Sequence, residues 1–108
     1  MIKPQIENEI SKRYNSHHTT IINDITLLNG DHYIGPISAS LFNGLGFIEH
    51  LDGSKFKGFF KNGKRNGFGI SFLNNRTKIE GNYIDDKKTG TFIITYPDGS
   101  KSFEFFKS

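Results

Sequence analysis

Residues 56–69 read FKGFFKNGKRNGFG, and a looser version of this stretch lies 23 residues to either side. Phe56 has counterparts in Tyr33 and Ile79, and Gly58 in Gly35 and Gly81. Gly67 is matched by Gly44 and Gly90, and Gly69 by Gly46, with Phe92 breaking the third copy. Asp52, Asn75 and Asp98 then mark the next turn, followed by Gly53, Arg76 and Gly99. A fixed period of this length is the signature of a stacked array, in which one unit cannot bury its apolar face without a neighbour. Three copies follow: 33–55, 56–78 and 79–101.

Within the middle copy the residues alternate. Phe56, Gly58 and Phe60 interleave with Lys57, Phe59 and Lys61; after a turn over 62–67, Phe68, Ile70 and Phe72 interleave with Gly69, Ser71 and Leu73. Period-two alternation with an apolar-rich face predicts a half-buried antiparallel hairpin. Glycine inside a strand normally weakens it. Its return at one phase implies that backbone or an aromatic ring occupies the space a Cβ would need, with rings of one hairpin lying over glycines of the next. Gly63 and Gly67 are read as turn residues, Gly58 as a packing residue.

The flanks look like degenerate caps of the same array. Thr20–Leu28 is β-branched and ends at Asn29-Gly30, a strong tight-turn dipeptide. Phe103–Phe106 restarts a strand, with a slip of one residue from strict register. Residues 1–18 are distinct: Ile2, Ile6, Ile10 and Tyr14 recur every four residues, which predicts a short amphipathic helix over 4–14 and a linker to 18. Pro4 suits a first helical turn, and Lys12 and Arg13 suit the last. The array then occupies 19–108.

Composition narrows the chemistry. The chain of 108 residues has no cysteine, so disulfides and cysteine-ligated metals are excluded. The four histidines, His17, His18, His32 and His50, show no recurring ligand spacing, and neither a metal nor a cofactor is called for. No apolar run resembles a signal peptide or a spanning helix, which points to a cytoplasmic protein. Residues 1–54 carry three Lys/Arg against six Asp/Glu, and residues 55–108 carry eleven against five, giving −3 and +6 and the overall +3. That split suits an anionic partner or head-to-tail contact between copies.

On these residues the chain resembles the MORN (membrane occupation and recognition nexus) repeat: aromatic-x-Gly-x-aromatic, a glycine-bearing turn, Gly-x-Gly, then Asp-Gly. Phe56, Gly58, Phe60, Gly63, Gly67 and Gly69 all match. The first copy keeps Tyr33, Gly35, Gly44, Gly46, Asp52 and Gly53, with Ile37 at the second aromatic and Ser40 at the turn glycine. The third keeps Gly81, Tyr83, Gly90, Asp98 and Gly99, with Ile79 leading and Lys87 at the turn glycine. The resemblance spans about residues 30–106. It implies a mainly β protein, a single curved antiparallel sheet of consecutive hairpins, acting as a binding or assembly module.

Two functions are therefore weighed. In the first, an aromatic trough lined by Tyr33, Phe56, Phe60, Phe68, Phe72 and Tyr83 takes a protein or peptide partner, or a second copy, because rings dominate interface energetics. A thin sheet struggles to cover both faces, so a homodimer, or the Ile2/Ile6/Ile10 helix lying across one face, is expected. In the second, the basic pairs Lys64-Arg65 and Lys87-Lys88, 23 apart, grip an anionic ligand such as an acidic phospholipid headgroup or a nucleotide, placing the protein at a membrane periphery in the lipid case. Catalysis is not expected: there is no nucleophile motif and no phosphate loop, and Asp85-Asp86 is read as neutralising Lys87-Lys88.

Overall fold

The computed structural model describes residues 21–107. The helix expected over 4–14, the linker to 18 and the His17-His18 pair lie outside the described residues. What is described contains strands and turns and no helix, so no helix there is long and apolar enough to cross a membrane. Ten strands follow one another: β1 (Asn23–Thr26), β2 (His32–Gly35), β3 (Ile37–Ser38), β4 (Leu41–Phe42), β5 (Gly44–Glu49), β6 (Lys55–Lys61), β7 (Lys64–Phe72), β8 (Lys78–Ile84), β9 (Lys87–Thr95) and β10 (Lys101–Phe106). Eight form one antiparallel sheet in the order β1-β2-β5-β6-β7-β8-β9-β10, which is chain order without a crossover.

The short pair β3–β4 belongs to this scheme. Adding 23 to β2 and β3 gives the span of β6, and adding 23 to β4 and β5 gives the span of β7. The first hairpin is thus the second one interrupted between Gly35 and Ile37, at Pro36, which has no N–H to offer a ladder.

The turns keep the same period. In all four inter-hairpin turns the amide of one residue donates to the carbonyl four positions later: Leu27 to Asp31, His50 to Ser54, Leu73 to Thr77 and Tyr96 to Ser100. A side-chain oxygen at Asn29, Asp52, Asn75 or Asp98 accepts from the amide two residues on. The hairpin tips are two-residue turns with positive φ throughout: Ala39-Ser40, Asn62-Gly63 and Asp85-Asp86. The tip is therefore Asn62-Gly63 alone, not 62–67, and the residue at Gly63's position in the third copy is Asp86 rather than Lys87. Gly67 lies within β7 at φ +113°, where the pairing with β6 shifts between Gly58 and Phe60. It serves a bulge. The last strand also departs from expectation: Lys101↔Thr95 repeats Lys78↔Phe72 and Lys55↔Glu49, so β10 runs in strict register and Phe106 stands where Phe60 and Tyr83 stand.

Register explains the glycines. Gly46 pairs with Gly58, Gly58 with Gly69, and Gly69 with Gly81, a row of bare backbone across the sheet. A Cβ on Gly58 would meet the Gly69 Cα at 2.7 Å and the Phe56 Cζ at 2.8 Å; one on Gly46 would meet the Tyr33 ring at 2.6 Å. The ring in closest contact comes from the glycine pair's own hairpin, while Tyr83 of the next hairpin also reaches Gly69, its Cε1 3.3 Å from the Cβ position. The third repeat reverses the roles. Ile79 stands at the leading position, Phe92 replaces the second glycine, and the Phe92 ring lies 2.6 Å from where a Gly81 Cβ would be. One ring per repeat fits over the backbone, and either strand can supply it.

Candidate functional site

The rings on this face form a continuous ladder. Phe60 meets Phe56 edge to face at 5.6 Å, Phe56 meets Tyr83 at 5.7 Å, Tyr83 meets Phe92 at 5.4 Å, and Phe92 meets Phe106 at 5.4 Å. At the other end Tyr33 meets Phe60 at 5.9 Å and stacks flat on Phe42 at 3.7 Å. Edge-to-face pairs add about 0.5–1.5 kcal/mol each beyond the area they bury. Tyr33 and Phe92 are fully buried, and Tyr83, Phe56 and Phe60 are at most 6 % exposed. These side chains are the core. Burial pushes the Tyr33 phenol above its usual range, and its hydroxyl donates to the Pro36 carbonyl at 2.8 Å.

The six aromatic residues expected to line one trough are divided by the sheet. Tyr33, Phe56, Phe60 and Tyr83 sit in the ladder. Phe68 and Phe72 sit on the opposite face, because Ser71 is the residue paired with Phe56 and Gly69 the one paired with Gly58. There they are exposed, with Leu45 and Phe59. Three ladder members, Phe42, Phe92 and Phe106, were not among the expected site residues. The period marks one directly, since Phe106 is 23 beyond Tyr83.

The basic pairs are divided too. Both begin strands rather than occupying turns. Arg65 and Lys88 lie over rings: the guanidinium is 4.5 Å from the Tyr83 centroid and 5.7 Å from Phe56, and the Lys88 ammonium is 5.4 Å from Phe92 and 5.2 Å from Phe106. Phe42 occupies the corresponding place in the first repeat, 23 before Arg65. Lys64 and Lys87, on the other strand parity, are exposed.

Arg65 is also committed to a carboxylate. Its amide donates to Asp86 Oδ1 at 2.8 Å, its Nε to the same oxygen at 3.0 Å, and a terminal nitrogen to the Asp86 carbonyl at 3.0 Å. The Asp86 amide returns a bond to the Arg65 carbonyl at 2.9 Å. Asp86 thus serves the preceding repeat rather than Lys87 and Lys88. Partial burial works to raise its pKa, but the Arg65 hydrogen bonds, then the Arg65 and Lys64 charges, hold it below 3.8. The same joint occurs one repeat earlier, where the Gly63 amide donates to the Phe42 carbonyl at 2.9 Å. Asn43 and Asn66 each accept from the next tip, at Asn62 and Asp85.

Between these joints and the inter-hairpin turns lies an open concavity of about 440 Å³ over the middle repeat. Phe42, Phe56, Phe60 and Ile48 supply apolar floor; Arg65 and Asp86 bound one end. At the other end His50 bonds through Nδ1 to Asp31 Oδ2 at 2.9 Å, and that bond chiefly holds the Asp31 carboxyl below its ordinary value. A second hollow of about 410 Å³ beside the last repeats is bordered by Lys87, Lys88 and Lys107 with Asp85. Among the described residues, no three His, Asp or Glu side chains gather as metal ligands would. No family model matches the chain, and a search of curated proteins finds no match to it.

Proposed function

We propose that this chain is a non-catalytic binding and assembly module, a MORN-type array whose ring face receives a segment of a partner protein. The observation that carries the reading is the open concavity over the middle repeat. It combines an apolar floor with fixed polar groups at both ends, the arrangement that orients a bound segment while burying its apolar side chains. Arg65 and Asp86, each holding the other, give the end of the groove a defined charge pattern at little further ordering cost. The ladder rings act as a rigid floor.

A photo-crosslinking amino acid placed at Ser71, which borders the concavity, tests this against one at Phe72 on the opposite face. Partner adducts formed from position 71 and suppressed by Phe60→Ala support the groove. Adducts formed only from position 72 would move the binding surface to the other side. A second reading rests on the Lys87/Lys88/Lys107 hollow, which three lysines and one aspartate border. It predicts binding to vesicles containing acidic phospholipid that weakens steeply with added salt. Equal sedimentation with neutral and acidic vesicles would dismiss it.

A further inference from the structure

From the two edges of the sheet we infer that copies of this chain join head to tail, β10 of one copy pairing with β1 of the next. The inference rests on the assembly reading but uses a surface separate from the groove. β1 corresponds by the 23-residue period to the inner part of β5, a second strand of a hairpin, and β10 corresponds to β6 and β8, both first strands. Everywhere inside the sheet first and second strands alternate. Among the described residues the outer edge of β10 pairs with nothing, and that is the edge on which β6 receives β7 and β8 receives β9. Among the described residues the outer edge of β1 is likewise unpaired, and it is the one on which β7 receives β6. Joined in the register of β6 and β7, Lys101 falls opposite Thr26, Ser102 opposite Ile25, Phe103 opposite Asp24 and Glu104 opposite Asn23 of the next copy.

Both edges expose apolar side chains. Phe103 and Phe105 are 69 % and 73 % exposed on β10, which carries no proline and no bulge. Natural sheets seldom leave such an edge bare. Ile21 and Ile22, at the approach to β1, are 74 % and 57 % exposed. Ile21 and Ile22 occupy the positions of Gly67 and Phe68, where the β6–β7 pairing has its bulge, so the ladder register carries over only from Lys101 to Glu104. The first end carries Asp24 and Asp31, each paired with a histidine, and the last end carries Lys101, Glu104 and Lys107. A contact between unlike surfaces grows in line instead of closing at two copies.

Sedimentation velocity on the 108-residue chain over a hundredfold concentration range reads this directly, with Phe105→Lys blocking one edge and Ile22→Lys the other. The unmodified chain should form a concentration-dependent series of species. Each variant alone should sediment as a monomer, and an equimolar mixture should form dimers and nothing larger. A monomeric unmodified chain overturns the proposal. So does an Ile22→Lys variant that still self-associates while Phe105→Lys does not, since that would be β10 pairing with itself. If a variant fails to fold, Asp24→Cys/Phe103→Cys in this cysteine-free chain replaces it. Mild oxidation should then yield a ladder of cross-linked multimers, and intramolecular or absent cross-links would refute the pairing. None of these changes touches Phe56, Arg65 or Asp86, so loss of assembly with groove binding intact, or the reverse, separates the two readings.

Discussion

The third repeat supplies a ring from β9 where the second supplies one from β6, and that difference can be transplanted. Gly69→Phe alone adds a second ring where the Phe56 Cζ already lies 2.5 Å from the position of a Gly69 Cβ. Overpacking against backbone and a buried ring should cost at least about 3 kcal/mol, the upper end for such changes. Phe56→Ile alone removes most of a buried ring and leaves a void, costing about 2–3 kcal/mol, short of the loss expected for alanine. Simple addition gives about 5–6 kcal/mol for the pair. The double variant, however, recreates Ile79 and Phe92: one ring, one aliphatic side chain and one glycine, with Gly58 in the place of Gly81. It should lose only about 2 kcal/mol, a favourable coupling of about 3 kcal/mol. For a domain of this size each kcal/mol corresponds to roughly 4–8 °C in Tm, so the double variant should melt well above either additive expectation. Urea denaturation of the four proteins, followed by circular dichroism, gives the cycle. A double variant as unstable as the sum of the singles would refute one ring per repeat as the packing rule.

Other outcomes follow from neighbouring contacts. Gly58→Val should unfold the protein or lower its Tm by more than 15 °C, on the order of 3 kcal/mol of backbone collision, whereas Gly63→Asp should stay within about 1 kcal/mol, because Asp86 already occupies the matching position at φ +70°; thermal melts compare the two. Asp86 has its pKa depressed in the folded protein, so its contribution is present above the unfolded value and lost as pH falls through the folded one, below 3.8. Asp86→Asn should therefore be less stable than the unmodified chain at pH 7 and lose less stability between pH 5 and pH 2, read by urea midpoints across that range; parallel pH profiles would contradict the Arg65 joint. Tyr33→Phe leaves the Pro36 carbonyl without the hydroxyl that bonds it at 2.8 Å and should cost about 1–1.5 kcal/mol by the same assay. No loss would show that water or a shifted ring replaces the bond.

Much of this fold was legible in the chain because the 23-residue period constrains turns and strands together. Asn29-Gly30, Asp52-Gly53 and Asp98-Gly99 mark inter-hairpin turns that the structure places at the same step, and the alternation around Phe56 and Phe60 gives β6 its buried face. Alternation along each strand, though, leaves open which set of one strand faces which set of the next. That is fixed by the tip turn and the bulge at Gly67, and it sends Phe68 and Phe72 away from the ladder. Phe92 interrupts a glycine pattern in the sequence but continues the ring pattern in space. Arg65 looked like one of a basic pair at a turn, since nothing within its own repeat announces a carboxylate 21 residues later. The joint exists only between stacked repeats, so local reading could not supply it.

We propose that this chain works by holding something, a partner segment on its ring face or a further copy at its edge. Native mass spectrometry of the protein purified from its own cells, first under gentle and then under denaturing conditions, asks this most directly. Species heavier than one chain are expected, carrying an added mass or whole multiples of the chain, that fall to the bare chain on denaturation. A bare single chain under every gentle condition, at concentrations up to those that saturate the measurement, would contradict it.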